Sequence, residues 1–184
     1  MRSAHNTSPR KAVRPAEGLA RRRVPLGFLF GILVIWLARP TRSSLLAGGI
    51  VALVGEMFRV WAAGHLEKGR EVTQSGPYRV VRHPLYLGTA IVGAGVAVAS
   101  ANGAAALLVA IYLGSTLTAA IQTEEAAMRT AFGDQYEDYL RSRARPLARG
   151  FSLDRALRNK EHRAIVGLAI GAALFAAKAI FVSP

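Results

Sequence analysis

Long apolar runs alternate with shorter polar segments over most of this chain. The runs cover residues 24–40, 44–64, 85–101, 104–121 and 164–182, and each contains at most two charged residues. An α-helix needs about 20 apolar residues to cross a bilayer. The pattern therefore predicts an all-α integral membrane protein with about five transmembrane helices.

The first apolar run is short and follows three consecutive arginines, Arg21 to Arg23. A basic segment before an apolar run is also typical of a signal peptide, but no small-residue cleavage motif follows, and the second run begins within a few residues. We interpret 24–40 as a short transmembrane helix and 24–184 as a single membrane domain. Residues 1–23 are expected to form a disordered basic tail against anionic lipid.

Basic residues are distributed unevenly between the two sides that such helices would define. Seven lie in 1–23, four in 65–84 and nine in 122–163, whereas the opposite side holds Arg39 and Arg42. Cytosolic loops carry the excess of Lys and Arg, so all three basic segments are predicted to be cytosolic. The two chemically rich segments, 65–84 and 122–163, should then meet on one face.

The composition limits the other classes of function. The 184 residues are 52% hydrophobic, carry a formal net charge of +13 and include no cysteine. Because the basic residues flank apolar runs, we expect them to set topology and meet lipid rather than nucleic acid. The absence of cysteine excludes disulfides and thiolate ligands, and the four histidines lack metal-ligand spacing, so no metal site is predicted.

The polar stretch 76–88, with the sequence GPYRVVRHPLYLG, lies immediately before and within the third apolar run. Pro84 suits the first turn of a helix, where a backbone N–H has no partner. The positive end of that helix, beside Arg79, Arg82 and His83, would favour a carboxylate or phosphate. This stretch is therefore predicted to form the rim of a binding site. The helix itself has residues at four-residue spacing that indicate close packing, in two sets: Ala90, Ala94 and Val98, and Gly93, Ala97 and Ala101.

Charged residues in the second run and after the fourth are further candidates. Glu56 and Arg59 are spaced i,i+3 and can pair, and ionisable residues inside a span are costly and often functional, although a self-neutralised pair is the alternative. The fourth helix is expected to continue to Phe132, because Gly133 suits a C-terminal stop or a kink. There Glu125 has Arg129 at i+4 as a partner, whereas Glu124 has none and is the better candidate for a ligand contact.

The stretch 76–88 resembles the G-x-Y-x-x-x-R-H-P-x-Y-x-G signature of the isoprenylcysteine carboxyl methyltransferase family and its phospholipid methyltransferase relatives. The likeness includes the sequence GEMFR at 55–59, Glu124-Glu125 and FGDQYEDY at 132–139, and it covers roughly residues 50–146. The resemblance implies an integral membrane enzyme that binds S-adenosylmethionine in a pocket facing the cytosol.

Residue by residue, the resemblance implies that Glu124 contacts the cofactor and that the pocket is lined by Tyr78, His83, Pro84, Leu85 and Tyr86. The helix-terminus argument agrees, since the methionine carboxylate could lie at the start of the third helix. The segment 70–74 is expected to cover the adenosine. A histidine that only caps the helix is the alternative for His83.

One position departs from the family pattern. Members that act on prenylated proteins carry an arginine one turn before the cofactor-binding glutamate, where this chain has Ala120. Without that cation, a free carboxylate acceptor has no obvious partner unless Arg59 or Arg129 replaces the missing arginine. The acceptor is therefore expected to be a lipophilic or lipid-modified molecule other than a prenylcysteine, such as a lipid amine, an isoprenoid acid or another small lipophilic compound. Glu56 and Arg59 are the candidate catalytic residues on the acceptor side, and Glu56 or His83 could serve as a base for an amine.

The expected chemistry is direct in-line methyl transfer, in which alignment in a closed site supplies most of the rate enhancement. Two other functions remain open. Membrane sterol reductases share an R-H-P-x-Y-x-G ending, which suggests NADPH and hydride transfer, but they usually have more spans. A non-catalytic membrane module that keeps the fold without a cofactor is the other.

Overall fold

The computed structural model describes residues 26–143 and 148–182, so the predicted tail at 1–23 lies outside the described residues. The described chain is helical and contains no strand. The helices are α1 (Leu26–Leu37), α2 (Arg42–Ala63), α3 (Pro84–Ser100), α4 (Gly103–Phe132), α5 (Asp134–Leu140), α6 (Leu153–Arg158) and α7 (Glu161–Val182). A 3₁₀ turn at Gly76–Arg79 precedes α3.

Three of these helices, α2, α4 and α7, are long and apolar enough to cross a membrane. The helices α1 and α3 are also apolar but shorter. The 17 residues of α3 extend about 25 Å at 1.5 Å per residue. Large apolar side chains such as Phe28 (72% exposed) and Ile50 (57% exposed) point outward. The protein is therefore an all-α integral membrane protein.

Local sequence signals account for the helix ends. Thr41 and Ser44 form a capping box at the start of α2, which satisfies backbone N–H groups that lack helical partners. The side chain of Asn102 caps α4 by accepting a hydrogen bond from the Ala105 N–H. The helix α4 continues to Phe132, as predicted, and ends where Gly133 adopts a φ of 47°.

The closest helix contact joins α2 and α3 through glycine. A Cβ atom on Gly95 would lie 2.5 Å from the Ala52 backbone nitrogen, and one on Gly55 would lie 2.7 Å from the Val92 nitrogen. Only glycine allows backbones to approach this closely. Of the two predicted packing stripes, the one through Ala94 is exposed at that residue, whereas Gly93 of the other is buried. The contact with α2 runs through Gly88 and Gly95.

Polar contacts show which helix ends meet. At one end, the Arg39 N–H donates to the Ser100 carbonyl (2.8 Å) and Lys178 Nζ donates to the Ile35 carbonyl (2.5 Å). At the other end, the Ser152 N–H donates to the Gly64 carbonyl (3.1 Å). The segments 65–84 and 122–163 therefore lie at the same end of the helices, as the charge distribution predicted.

Candidate functional site

A small polar cleft lies between the loop after α2, the start of α3, the extension of α4 and the short helix α5. Its volume is about 60 Å³. It is lined by Leu66, Glu67, Lys68, Gly69, Glu71, Val72, Thr73, Tyr78, Arg82, His83, Glu124, Met128, Tyr136 and Tyr139. Three predicted cofactor-binding residues, Tyr78, His83 and Glu124, thus share one cleft.

Tyr78 forms the wall of the cleft from the 3₁₀ turn. It is 9% exposed, and its backbone carbonyl accepts a hydrogen bond from the Tyr139 hydroxyl at 2.9 Å. Burial raises the pKa of the Tyr78 phenol, and the nearby carboxylates of Glu124 and Glu161 raise it further. Because charge is disfavoured there, Tyr78 stays a neutral hydrogen-bonding group.

His83 occupies the N-cap position of α3, but its side chain does not cap the helix. Instead, its Nε2 atom lies 3.1 Å from Glu125 Oε1. Glu125 Oε2 accepts a longer hydrogen bond from Arg129 Nη1, at 3.3 Å. The expected pair with Arg129 is thus present, while the contact with His83 was missed because nothing in the sequence joins residues 42 positions apart. Glu125 therefore fixes the His83 ring beside the start of α3.

Glu124 projects from the extension of α4 into the cleft. It is exposed, and within 26–143 and 148–182 its carboxylate has no hydrogen-bond or ion-pair partner. The remaining predicted ligands lie on the first turn of α3 outside the cleft lining: Pro84 is buried, whereas Leu85 and Tyr86 are half-buried. Of the predicted site residues, Glu124 is therefore the one whose charge has no partner among the described residues.

The loop that forms the floor of the cleft is held by one half-buried and one buried polar contact. Arg149 donates to both oxygens of Glu71, at 2.5 and 2.8 Å. His65 is 5% exposed and its Nδ1 lies 3.1 Å from Ser75 Oγ. Burial lowers the pKa of His65, and the guanidinium groups of Arg155 and Arg149 lower it further. The histidine therefore supports the loop as a neutral group.

The short helix α5 covers the other side of the cleft. Tyr136 is 3% exposed, and burial raises the pKa of its phenol to about 12, with Glu125 as the next cause. Arg82 Nη2 donates to the Leu140 carbonyl at 3.0 Å, which ties the end of α5 to the segment before α3. Together with the Tyr139–Tyr78 bond, this contact keeps the cleft narrow.

A second, larger cavity lies among α1, α2, α3, α4 and α7. Its volume is about 580 Å³, within the range of about 300–1,000 Å³ for small-molecule sites. Its lining is almost entirely apolar and includes the glycines Gly27, Gly31, Gly48, Gly49, Gly93, Gly95, Gly167 and Gly171. A Cβ atom on Gly171 would meet no atom within 4 Å, so missing side chains contribute to the open space.

The predicted pair Glu56 and Arg59 lies in the lining of this cavity. Arg59 Nε is 3.4 Å from Glu56 Oε2, and Arg59 Nη2 donates to both oxygens of Glu161 at 3.2 and 3.0 Å. Arg59 Nη1 donates to Thr89 Oγ1. The contacts of Arg59 with Glu161 and Thr89 were not predicted from the sequence. Glu161 lies in the first turn of α7, where an acidic residue is favoured by the helix dipole alone, so its position did not indicate Arg59 as its partner.

The cleft and the cavity approach each other along α3. The helix begins at Pro84 beside the cleft, and Thr89 already lines the cavity. Five residues of α-helix rise roughly 7.5 Å. The carboxylate of Glu161, which binds Arg59 at the cavity, is also close enough to raise the pKa of the Tyr78 phenol in the cleft. The two spaces are therefore neighbours at the polar end of the helices.

Arg59 and Arg129 are the two arginines that could replace the family's arginine at the Ala120 position. Both are already engaged in ion pairs. Ala120 itself is 7% exposed on α4. Arg129 is paired with Glu125 and Glu137 (3.3 and 3.1 Å), and Arg59 is paired with Glu161 (3.0 Å). A carboxylate ligand would have to displace one of these partners.

The fold and its two neighbouring spaces define a helical membrane protein with a polar cleft next to an apolar cavity. The Phospholipid methyltransferase family model matches residues 25–135. The chain belongs to this family.

The chain is also similar to the Protein-S-isoprenylcysteine O-methyltransferase of Schizosaccharomyces pombe. The two are 32% identical over 97 residues, which cover 53% of this chain and 41% of the relative. The similarity thus spans less than half of the relative's length. No solved structure matches the chain.

Proposed function

We propose that this protein is a methyltransferase that uses S-adenosylmethionine to methylate a lipophilic acceptor at the membrane. One observation carries the proposal: a polar cleft containing Tyr78, His83 and Glu124 adjoins an apolar cavity between membrane helices. A polar methyl donor and a lipophilic acceptor require two such spaces side by side. Family membership and the similarity to an isoprenylcysteine O-methyltransferase support the same reaction class.

The donor set of the cleft suits S-adenosylmethionine. The carboxylate of Glu124, which has no partner among the described residues, can accept charge-assisted hydrogen bonds from the amino group or ribose hydroxyls. The backbone N–H groups at the start of α3 favour the methionine carboxylate, with His83 held beside them by Glu125. When bound, S-adenosylmethionine supplies a methyl group activated by its sulfonium. Leu85 and Tyr86 would complete the pocket from the first turn of α3.

The cleft must widen to admit this ligand, because about 60 Å³ is far below the 300–1,000 Å³ of ordinary small-molecule sites. On the other side of Tyr78, Arg82 and Tyr139 lies a polar hollow of about 410 Å³. Movement of Tyr139 away from the Tyr78 carbonyl would join the two spaces. We therefore propose that α5 opens for the methyl donor and closes over it, which excludes water during transfer.

The proposed membrane arrangement has five spans, formed by α1, α2, α3, α4 and α7, with α1 and α3 as the short ones. The excess of basic residues in 1–23, 65–84 and 122–163 supports a cytosolic position for the cleft. The methyl donor would then enter from the cytosol, and the acceptor would enter from the bilayer. Glu56 and Arg59 are assigned to the acceptor side.

Calorimetric titration of the purified protein with S-adenosylmethionine and with NADPH tests this proposal. We expect S-adenosylmethionine to bind and NADPH to fail. Glu124→Gln removes a charged hydrogen-bond acceptor worth about 1.5–3 kcal/mol, so affinity should fall roughly 10- to 150-fold. Asp154→Asn, an exposed change on α6, is the matched control and should bind like the wild type.

Two results would overturn the proposal: binding of NADPH in place of S-adenosylmethionine, or an affinity for S-adenosylmethionine that Glu124→Gln leaves unchanged. Mass spectrometry of lipid extracts after incubation with methyl-labelled S-adenosylmethionine then identifies the acceptor. A labelled lipid formed by the wild type and lost in Glu124→Gln is the expected outcome.

A further inference from the structure

The polar hollow beside the cleft, on the other side of Tyr78 and Tyr139, has a volume of about 410 Å³. Its lining includes two arginines, Arg79 and Arg82, and no acidic side chain stands among the described residues that line it. The cleft, by contrast, is lined by three glutamates. The hollow therefore differs from the cleft in charge and favours an anion.

A buried amide borders this hollow. Gln74 is 7% exposed, and it lines the hollow but not the cleft. Within residues 26–143 and 148–182 its side-chain amide makes no hydrogen bond, yet neither of its polar atoms is sealed from solvent. A buried amide without a partner is costly. The hollow is therefore the space in which a ligand could satisfy the amide of Gln74.

Two arginines and a serine supply further donors. Arg79 was predicted to lie beside the start of α3, but it lines the hollow rather than the cleft. It is exposed, and in the described part of the chain its guanidinium has no hydrogen-bond or ion-pair partner. Arg82 Nη2 donates to the Leu140 carbonyl at 3.0 Å, which leaves further N–H groups on the same guanidinium. Ser142, which follows α5, also lines the hollow.

The arrangement of these donors selects the kind of anion. Gln74, the arginine pair and Ser142 come from three separate segments and border one space. A carboxylate presents its oxygens in one plane, whereas a phosphate presents several strong acceptor oxygens in different directions. Guanidinium groups also match the geometry of phosphate oxygens. The donor set therefore suits a phosphate better than a carboxylate.

The surroundings of the hollow indicate where the phosphate comes from. Val80 lies between the two arginines in the chain, lines the hollow and is 89% exposed. An apolar side chain that points outward beside basic residues is typical of the boundary between lipid and water. The hollow also lies at the polar end of the membrane helices, where head groups are found. A phosphate attached to a lipid therefore fits this position.

We infer that the hollow binds the phosphate of an anionic phospholipid head group. Arg79 and Arg82 hold the phosphate, the amide of Gln74 donates to one of its oxygens, and Val80 contacts the lipid chains. This lipid is separate from the methyl acceptor, which is proposed for the apolar cavity. The inference does not depend on the proposed methyl transfer, and its test measures lipid binding alone.

The test compares three lipids with the same dioleoyl chains: phosphatidic acid, phosphatidylcholine and diacylglycerol. Each is added to the full-length protein in an uncharged detergent, and binding is measured by native mass spectrometry. The wild type should bind phosphatidic acid about tenfold or more tightly than diacylglycerol, with phosphatidylcholine between them. Equal binding of phosphatidic acid and diacylglycerol would overturn the inference.

Two variants test the donors, and one tests whether charge alone explains the result. Arg79→Gln removes a guanidinium, and Gln74→Glu replaces an amide donor by a carboxylate of the same shape. Each should reduce the preference for phosphatidic acid by about tenfold. Arg163→Gln is the matched control, because it removes the same charge from an exposed position on α7 outside the hollow. Arg79 and Arg163 are both exposed, so both variants should fold. An equal loss in Arg79→Gln and Arg163→Gln would show general attraction by charge and would refute the site.

A last comparison distinguishes a lipid phosphate from free phosphate. Inorganic phosphate is titrated by calorimetry into the wild type and into Val80→Ser, which removes an exposed apolar side chain. Inorganic phosphate should bind at least tenfold more weakly than phosphatidic acid. Val80→Ser should weaken phosphatidic acid and leave inorganic phosphate unchanged. Inorganic phosphate that binds as tightly as phosphatidic acid, or phosphatidic acid that binds equally well to Val80→Ser, would rule out the lipid as the ligand.

Discussion

The apolar cavity lies among five apolar helices, whereas the polar cleft is enclosed by a loop, helix ends and the short α5. Glycine contacts between α2 and α3 fix the frame of the cavity, which is already about 580 Å³ in size. The cleft, at about 60 Å³, is closed by single hydrogen bonds such as Tyr139 to Tyr78. The cavity, which is the proposed acceptor side, is therefore preformed, whereas the cleft, which is the proposed methyl-donor side, must widen to admit a ligand.

The largest effect is expected from breaking the frame of the cavity. In Gly95→Leu, the new Cβ atom would lie 2.5 Å from the Ala52 nitrogen and 2.6 Å from the Gly48 carbonyl oxygen. Overpacking costs about 1–3 kcal/mol and more where backbone must shift, so this variant should unfold at a much lower temperature or fail to fold. Gly114→Leu, with open space around its Cβ, should unfold like the wild type. Equal unfolding temperatures for the two variants would refute the role of this contact.

The next effect concerns the polar end of the cavity. Glu161→Gln removes the main partner of Arg59, whose side chain is 19% exposed. Breaking a largely buried pair should cost up to about 3 kcal/mol. Glu137→Gln removes a partner from Arg129, which is 48% exposed, and should cost less than about 1 kcal/mol. Thermal unfolding in detergent measures the stability of both variants. A larger loss in Glu137→Gln than in Glu161→Gln would contradict the stronger role given to the Arg59–Glu161 pair.

A smaller effect is expected at the closure of the cleft. Tyr139→Phe removes the hydroxyl that donates to the Tyr78 carbonyl. The loss should cost about 0.5–1.5 kcal/mol of stability and should speed the association of S-adenosylmethionine. Tyr136→Phe is the control, because the hydroxyl that it removes makes no hydrogen bond among the described residues. This variant should bind S-adenosylmethionine at the rate of the wild type. Stopped-flow binding compares the two, and an unchanged or slower rate in Tyr139→Phe would argue against the opening of α5.

The smallest effect is a pH dependence of stability that comes from His65 in the loop below the cleft. The pKa of His65 in the folded protein is lowered from 6.5, mainly by burial. Its contribution to stability is therefore present above pH 6.5 and is lost as the pH falls through the lowered value. The unfolding temperature of the wild type should decrease on acidification, and His65→Gln should decrease less. Parallel curves for the two proteins would show that His65 does not carry this dependence.

Much of the frame could be predicted from the sequence because hydropathy reports on membrane burial directly. The predicted run 85–101 corresponds to Pro84–Ser100, and 164–182 lies within Glu161–Val182. Pro84 and Gly133 marked helix ends because their backbone preferences are local. The pairing of Glu125 with Arg129 was also predictable, since an i+4 partner can be read along one helix.

Contacts between distant segments were not predictable in the same way. Arg59 and Glu161 are 102 positions apart, and His83 and Glu125 are 42 apart. Small residues occur on several faces of α3, so the sequence alone did not indicate that Gly88 and Gly95 face α2. The cavity depends on how five helices are arranged around those glycines, which no periodicity within a single helix reveals.

We propose that the cleft holds the methyl donor and that the cavity holds the acceptor. The decisive measurement is the binding of S-adenosylmethionine and of dodecanol, a long-chain probe of the cavity, to Glu124→Gln and to Gly171→Leu, which extends a side chain into the cavity. We expect reciprocal losses: Glu124→Gln loses affinity for S-adenosylmethionine and keeps dodecanol, and Gly171→Leu does the opposite. Loss of both ligands in one variant, or of neither in both, would contradict it.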